Sequence, residues 1–259
     1  MRKTLVILCG IVLASCSNVK SEVKNEDVKT TDFAIKASTV PTSVMNNTEH
    51  NHDVQTETGY KPSFISAAYL LEKINKKDGI VIFDVRNKES YDESHIKTAL
   101  NKPIPITADS VRGIPQKARV VTYCGCPHHL SSIAAEQLTK LGYKDVHVLN
   151  EGFWYWKDHK YPMQVASAST STLSEIKVEG VLAKQDKPVS NVDIYLKHES
   201  SGQLEATRTD AKGGYKMNFH LYNYKNNDKF KFYVGDLKTP VQDFSTDKKE
   251  TFNVAVNMK

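Results

Sequence analysis

The stretch that decides the fold is residues 117–142, KARVVTYCGCPHHLSSIAAEQLTKLG. Its apolar run, residues 120–123, predicts a strand that is buried on both faces, as in a parallel sheet with helices on either side. A compact polar loop follows this run. From Ser131 onward, apolar residues recur at helical spacing until Gly142 ends the pattern. A buried strand, a loop and a helix in this order predict one unit of an α/β fold.

Similar units lie on both sides of this stretch. Upstream, Ser66 can cap a helix that precedes a second apolar run, residues 80–83. Downstream, residues 146–149 form a third apolar run. Because apolar runs alternate with helices, we expect a mainly parallel central sheet in an α/β domain over residues 59–163.

The periodicity changes beyond the α/β domain. Residues 164–174, QVASASTSTLS, are small and polar and predict a linker. Over residues 175–259, apolar and polar residues alternate in segments separated by turn signals such as Gly213-Gly214, so we expect a small all-β sandwich. A length of 259 residues also agrees with two domains.

The composition excludes several classes of protein. Charged residues make up 25% of the chain and hydrophobic residues 39%, which is typical of globular proteins and excludes global disorder, collagen and a polytopic membrane protein. The chain has 35 Lys and Arg against 30 Asp and Glu, and the excess is dispersed. Because nucleic-acid binding needs a clustered basic surface, we expect no nucleic-acid partner.

Residues 1–16, MRKTLVILCGIVLASC, have the pattern of an export signal. Arg2 and Lys3 precede an apolar run that is too short to span a bilayer. The end of the segment, Leu13-Ala14-Ser15-Cys16, resembles a bacterial lipobox. That resemblance implies lipidation of Cys16 and hence an exported, membrane-tethered lipoprotein, with Ser17 favouring the outer membrane. The alternative is a plain signal peptide with an incidental cysteine.

Residues 17–58 are rich in Ser, Thr, Asn, Lys and Glu and show no sustained periodicity, which predicts a disordered tether. The cluster Glu49-His50-Asn51-His52-Asp53 could bind a metal ion weakly, because imidazole and carboxylate groups are competent ligands. In a polar tether such a cluster is more often solvated, so we predict no metal site there.

Cys124 is the candidate nucleophile. Of the four cysteines, Cys9 leaves with the signal and Cys16 is the lipidation site, so Cys124 and Cys126 remain as thiols and a disulfide-stapled fold is excluded. Cys124 follows a buried strand and precedes a helix, which places its sulfur at the carboxyl edge of the sheet, where α/β proteins bind ligands.

The surroundings of this sulfur are expected to favour its charged form. Loop amides and the helix N-terminus would point at Cys124, so we expect an exposed thiol whose pKa is lowered from about 8.5 toward neutrality. The loop residues expected to form this anion cradle are Gly125, His128, His129, Leu130 and Ser131.

These features resemble the rhodanese-like domain over about residues 60–163. The matching motifs are Asp84-Val85-Arg86, Tyr91, Ser94-His95-Ile96, Ala99-Leu100-Asn101, Tyr123-Cys124, Ala134-Ala135, Leu138, Gly142-Tyr143, Glu151-Gly152-Phe153 and Trp156. The resemblance implies a sulfurtransferase without a cofactor. Its Cys124 would take a sulfane sulfur from a small donor such as thiosulfate, hold it as a persulfide and pass it to a thiol acceptor. Apart from the resemblance, we expect Asp84 and Arg86 to form a structural pair.

The loop is a CxCPxx variant of the family's loop. Active members commonly carry an arginine five residues after the cysteine, where this chain has His129, and a histidine replaces arginine poorly for an anionic donor. Pro127 removes one amide from the cradle. The absence of a loop arginine also excludes a cysteine phosphatase, which needs an arginine fork for the phosphoryl oxygens.

Two other functions stay open for the α/β domain. Cys126 could resolve a persulfide on Cys124, pair with it in a strained disulfide, or ligate a metal ion together with His128 and His129. One alternative is therefore a protein that handles redox equivalents or metal ions through both thiols. The other is a catalytically inactive rhodanese-like binding protein.

Residues 175–259 look similar to carboxypeptidase-regulatory-like and transthyretin-like β-sandwiches. The matching pieces are Val178-Glu179-Gly180-Val181, Pro188-Val189-Ser190-Asn191-Val192-Asp193-Ile194, Thr207-Arg208-Thr209-Asp210-Ala211 and Gly214-Tyr215. The resemblance implies a module without catalysis of its own, which binds an unknown protein partner, spaces the chain or stabilises it.

Overall fold

The computed structural model describes residues 59–125, 129–167, 170–247 and 251–258. The predicted export signal, the tether and Cys16 lie outside these residues, as do Cys126, Pro127 and His128 of the loop. Among the described residues, no helix combines the length and the apolar character needed to cross a bilayer.

The first part of the chain alternates strands and helices. Its elements are β1 (Ser63–Ile65), α1 (Ala67–Lys76), β2 (Val81–Asp84), α2 (Lys88–Glu93), β3 (Ser94–Ile96), β4 (Leu100–Asn101), β5 (Arg119–Tyr123), α3 (His129–Lys140), β6 (Asp145–Leu149), α4 (Gly152–Asp158) and β7 (Met163–Val165).

Five of these strands form one parallel sheet. The strand order is β1-β6-β5-β2-β4, and each neighbouring pair is parallel. Strand β5 lies at the centre, and its last four residues, 120–123, are buried as their apolar run predicts. The predicted α/β domain with a mainly parallel central sheet is confirmed. The central strand thereby carries the chain to the carboxyl edge of the sheet just before Cys124.

Local sequence signals set the helix ends. The Ser66 side chain accepts a hydrogen bond from the amide of Tyr69 at 3.2 Å, which confirms the predicted cap of α1. Helix α3 begins at His129, two residues before the Ser131 start that the apolar pattern indicates. The first turn is partly polar and carries no apolar periodicity, which explains the difference. Gly142, with φ of 96°, follows the end of α3.

The second part of the chain consists of strands. They are β8 (Leu173–Lys184), β9 (Lys187–Pro188), β10 (Asp193–His198), β11 (Leu204–Arg208), β12 (Gly214–Tyr222), β13 (Lys229–Val234), β14 (Gln242–Ser245), β15 (Thr251–Asn253) and β16 (Val256–Met258). One sheet has the antiparallel order β11-β10-β13-β14, and the other has the order β12-β8-β15 with β9 and β16 also paired to β8. A shared apolar core, with Ile176 and Phe219 from one sheet and Leu196 and Phe232 from the other, makes this part a β-sandwich.

Strands extend into both ends of the segment predicted as a linker. Strand β7 includes Gln164 and Val165 and pairs with β3, and β8 begins at Leu173. The Ser171 hydroxyl donates a hydrogen bond to Glu93 at the end of α2. The connection between the α/β domain and the β-sandwich is therefore short.

One edge of each sheet of the β-sandwich lies against the α/β domain. Strand β11 ends one sheet and contacts α3, and β12 ends the other sheet and contacts α2. An uncovered strand edge can pair with other chains, so this packing protects the β-sandwich. It also brings the β-sandwich to the carboxyl edge of the parallel sheet, where Cys124 lies.

Candidate active site

Cys124 follows directly on β5, at the edge of the sheet that the sequence indicates. Its Sγ lies 3.4 Å from the hydroxyl oxygen of Ser131, in the first turn of α3. The backbone of Ser131 also hydrogen-bonds the sulfur, and both interactions favour the thiolate. Ser131 therefore supplies the kind of donor that the predicted anion cradle requires.

The exposure of this sulfur differs from the expectation. Cys124 is 2% exposed. Burial raises the pKa of its thiol and the negative charge of Glu205 adds to the effect, so the pKa rises to about 11 despite Ser131. The predicted exposed thiol with a lowered pKa is therefore wrong for this arrangement of the chain. The sequence signals near Cys124 do not include the β-sandwich, whose side chains lie in the same buried cluster as Cys124.

Three side chains of the β-sandwich contribute to this cluster. Tyr195 of β10, Ala206 of β11 and Tyr233 of β13 belong to the same buried apolar cluster as Cys124 and Leu130. Tyr195 is the register partner of Ala206 on one side and of Tyr233 on the other. The three residues, here called the Tyr195 row, therefore cross three strands on one face. That face is turned away from the core of the β-sandwich, because the neighbours of Tyr195 within β10 lie in that core.

A buried carboxyl group lies at the same interface. Glu205 of β11 is buried, and Nε2 of Gln203 donates a hydrogen bond to its Oε1 at 2.8 Å. The hydroxyl of Ser90 in α2 donates to Oε1 of Gln203 at 3.3 Å. Burial raises the pKa of Glu205 to about 8, although Gln203 and the charge of Arg86 oppose the shift. Glu205 therefore holds its proton at neutral pH.

His129 is directed toward the β-sandwich. Its Nε2 lies 3.5 Å from Oδ1 of Asp193, which also accepts a hydrogen bond from Nε of Arg208 at 2.7 Å. Burial raises the pKa of the Asp193 carboxyl, but hydrogen bonds from His129 and Arg208 outweigh it and hold the pKa below its usual value. The residue at the expected arginine position therefore contacts the second module in this structure.

Asp84 and Arg86 meet in a buried polar cluster at the strand ends. Nε and Nη2 of Arg86 donate to the Asp84 carboxylate at 2.6 to 3.2 Å, and the Tyr123 hydroxyl donates to the same carboxylate at 2.6 Å. Nη2 of Arg86 also donates to the backbone oxygen of Ser94 at 2.7 Å. Burial lowers the pKa of Arg86, but the charge of Asp84 outweighs it and raises the pKa. The cluster joins β2, β3 and β5, so it fixes the strand end from which the Cys124 loop starts.

Helix α4 holds the start of the loop. The amides of Phe153 and Trp154 donate to the backbone oxygens of Cys124 and Gly125, at 2.9 and 3.3 Å. A Cβ atom on Gly125 would lie 3.0 Å from Nε1 of Trp154, so the backbone packs closely there. The ring of Trp154 lies 4.2 Å from the ring of His220 in β12, measured between centroids. The β-sandwich therefore contacts the helix that holds the start of the loop.

Sequence reasoning missed Gln203, Glu205 and the Tyr195 row. A polar residue in an alternating strand usually faces solvent, so Gln203 and Glu205 carry no signal of burial. Tyr195 and Tyr233 do carry a signal, because each lies beside a lysine position on the outward face of its strand. Large apolar side chains on a face that should be polar indicate that another surface covers it.

Two of the predicted site residues, Cys126 and His128, lie outside the described residues, so the roles of the second thiol and of a metal ion stay predictions. Within the described ranges, no group of three or more His, Cys, Asp and Glu side chains is placed to hold a metal ion.

Comparison with known proteins places the α/β domain in a family. The family model for the rhodanese-like domain matches residues 66–159. The chain is 37% identical over 89 residues to a thiosulfate sulfurtransferase GlpE of Coxiella burnetii, an overlap that covers 34% of this chain and 80% of that protein. The chain belongs to the rhodanese-like family.

The chain is also similar to two further proteins. The chain is 31% identical over 96 residues to a thiosulfate sulfurtransferase GlpE of Pseudomonas fluorescens, covering 37% of this chain and 85% of that protein. The solved structure of a protein from Bacillus halodurans is 30% identical and covers 40% of this chain and 77% of its own, with a TM-score of 0.38. The family match ends at residue 159, so it covers the rhodanese-like domain and not the β-sandwich.

The raised pKa of Glu205 predicts a pH dependence of stability. Its usual value of 4.5 becomes about 8 in the folded chain, so the folded state holds a proton that the unfolded state releases between these values. Below pH 4.5 the Glu205 carboxyl group makes its full contribution to the free energy of unfolding. This contribution falls as the pH rises to about 8, by at most about 1.4 kcal/mol per pH unit. Glu205→Gln should remove this decline.

Urea denaturation of the wild type and Glu205→Gln at pH 5, 6.5 and 8 measures the effect. The difference in unfolding free energy between the variant and the wild type should grow in favour of the variant as the pH rises. Glu175→Gln, at an exposed position of β8, is the control and should leave the pH profile of the wild type unchanged. A pH-independent difference for Glu205→Gln would contradict the buried carboxyl group.

Proposed function

We propose that the protein is a sulfurtransferase that carries a sulfane sulfur as a persulfide on Cys124. The observation that carries the proposal is the place of Cys124 between the central strand β5 and helix α3, with the Ser131 hydroxyl 3.4 Å from its sulfur. Two kinds of support add to it. The chain belongs to the rhodanese-like family, and relatives at 37% and 31% identity are named thiosulfate sulfurtransferases.

The proposed reaction has two displacement steps. The Cys124 thiolate attacks the outer sulfur of thiosulfate, the sulfur–sulfur bond of the donor breaks, and sulfite leaves with the bonding electron pair. In the second step an acceptor thiolate attacks the outer sulfur of the Cys124 persulfide. The bond to Sγ breaks, its electron pair returns to Cys124 as a thiolate, and the acceptor becomes a persulfide.

The residues around Cys124 suit these steps. The Ser131 hydroxyl and backbone donate toward the sulfur, so they stabilise the thiolate and the persulfide anion. The cluster of Asp84, Arg86 and Tyr123 keeps the strand ends in place, which positions the nucleophile rather than touching the substrate. No protein group needs to supply redox chemistry, because each step exchanges one sulfur–sulfur bond for another.

One observation favours a second candidate function. Cys124 is buried and its thiol has a pKa of about 11, which are properties of a structural cysteine rather than of a nucleophile. A catalytically inactive rhodanese-like binding protein is therefore the second candidate. The two candidates differ in whether Cys124 gains sulfur.

Mass spectrometry after treatment with thiosulfate decides between the two functions. Under the proposed function, Cys124 in the wild type gains one sulfur atom, and a thiol acceptor removes it. Cys124→Ser should reduce both persulfide formation and sulfur transfer to the background level, because no nucleophile remains. Cys126→Ser is the matched control at the other loop thiol, and it should keep the added sulfur on Cys124. Equal behaviour of wild type and Cys124→Ser, with thiosulfate and with a low-molecular-weight persulfide as donors, would establish the binding protein instead.

We also propose that the protein is an exported lipoprotein, tethered through Cys16 and residues 17–58 and anchored in the outer membrane. The support is the sequence of residues 1–16 and the similarity of its end to a lipobox. A lipid-modified N-terminus would keep the rhodanese-like domain outside the cytoplasm, close to a membrane surface.

Expression of the full chain in a bacterium tests the tether. The wild type should enter the detergent phase of a Triton X-114 separation, and its N-terminal peptide should begin at an acylated Cys16. Cys16→Ser should move the chain to the aqueous phase, because it removes the acceptor of the lipid. Cys9→Ser is the control and should behave as the wild type. An aqueous wild-type chain that lacks acyl groups would contradict the tether.

A further inference from the structure

We propose that the β-sandwich is an intramolecular cap on the rhodanese-like site, and that sulfur donors and acceptors reach Cys124 only when the cap separates from α3 and Cys124. The identity of Cys124 as the sulfur carrier rests on the proposed function, but the closure of the site does not.

The reacting group is buried. Cys124 is 2% exposed, and Ser131, Leu130 and Arg86 around it are equally inaccessible. A nucleophile must come within contact distance of the atom that it attacks. Neither thiosulfate nor a thiol acceptor can approach Sγ in this arrangement, so catalysis needs a second arrangement of the chain.

The β-sandwich contributes side chains to the buried cluster around Cys124. The Tyr195 row contributes two tyrosine rings and one methyl group to the apolar cluster around Cys124 and Leu130. These side chains lie on the outward face of the β-sandwich, so they can leave the cluster without disturbing the core of the β-sandwich. The side chains that the β-sandwich places in the cluster around the thiol thus belong to a module with a separate core.

Hydrogen bonds also join the two modules. The Asn87 amide donates to the backbone oxygen of Ser201 at 3.0 Å, and the Asn223 amide donates to Glu89 at 3.2 Å. A net contribution of about 0.5–1.5 kcal/mol is typical of such a hydrogen bond, because water replaces it when the groups separate. The interface also contains the contact between His129 and Asp193 and the apolar side chains of the Tyr195 row, so opening breaks both polar and apolar contacts. Under this proposal the β-sandwich stays folded when they break, because its core is separate from these contacts.

Closure also changes the ionisation of the thiol. Burial is the larger cause of the raised pKa of Cys124, and the charge of Glu205 adds to it only at a pH where that carboxyl group is ionised. Separation admits water and moves Glu205 away, while Ser131 stays beside the sulfur because both residues belong to the rhodanese-like domain. Closure thus blocks access and also disfavours the reactive thiolate.

The connection between the rhodanese-like domain and the β-sandwich is short. Strand β7 ends at Val165 and β8 begins at Leu173, so a few residues join the two modules. A short connection keeps the cap at a high effective concentration after it opens. Opening is therefore brief unless a partner holds the β-sandwich away from the site.

Native-state alkylation of the full chain tests the cap. Iodoacetamide is small and uncharged, and peptide mass spectrometry with fragment ions separates Cys124 from Cys126. In the wild type at pH 8, Cys124 should react at least about 100-fold more slowly than in the urea-unfolded chain, because only the open fraction reacts. Ala206→Arg, which places a long charged side chain in the Tyr195 row, should raise this rate by about tenfold or more.

The matched control is Val181→Arg, which introduces the same side chain at an exposed position of β8. It should change the Cys124 rate by less than about twofold. Circular dichroism and urea denaturation establish that both variants are folded. A wild-type rate equal to that of the unfolded chain would overturn the cap, and so would a folded Ala206→Arg variant with the rate of the wild type.

A second measurement needs no variant. The alkylation rate of Cys124 in the wild type is followed at urea concentrations below the unfolding transition. Opening of the cap exposes less surface than global unfolding, so the rate should rise with urea at less than half of the slope expected for global unfolding. A slope equal to that of global unfolding would show that the cap does not open as a unit and would overturn the proposal.

The persulfide assay separates this proposal from the proposed function. Ala206→Arg should accelerate persulfide formation on Cys124 by the same factor as alkylation. Faster alkylation without persulfide formation in either protein would refute the sulfurtransferase and leave the cap standing. Rapid persulfide formation in a wild type whose Cys124 alkylates as in the unfolded chain would support the sulfurtransferase and refute the cap.

Discussion

The packing of the β-sandwich around Cys124 and the first turn of α3 is the contact on which the properties of the site depend. It joins Cys124 and Leu130 to the Tyr195 row in one apolar cluster. Removing a thiol from water disfavours its charged form, and a neighbouring carboxyl group adds to that effect. The burial of Cys124 therefore determines whether its thiol is ionised and accessible.

The rhodanese-like domain itself is built to hold a nucleophile in place. The buried pair of Asp84 and Arg86, together with Tyr123, fixes the ends of β2 and β5, and the amides of α4 hold the backbone of Cys124 and Gly125. All of these groups belong to the rhodanese-like domain, so separation of the proposed cap would remove none of these hydrogen bonds.

The sequence predicted those elements of the structure that depend on residues close together in the chain. The apolar run at residues 120–123, the Ser66 cap and the period-two strands of the second module each depend on neighbours in sequence, and each was found in the structure. The state of Cys124 depends on Glu205 and Tyr195, which lie far away in the chain. The sign of the expected pKa shift was wrong for that reason: the Ser131 donors act in the predicted direction, but burial by a second module outweighs them.

The equilibrium ionisation of Cys124 tests the central claim most directly. In the full chain with 13C-labelled cysteine, the Cβ chemical shift of Cys124, assigned by its loss in Cys124→Ser, is followed against pH. The account predicts that this thiol stays protonated through about pH 9.5, in line with a pKa of about 11. A titration midpoint at or below the ordinary cysteine value of about 8.5 would contradict it, because it would mean that the thiol lies in water or in an unopposed anion cradle.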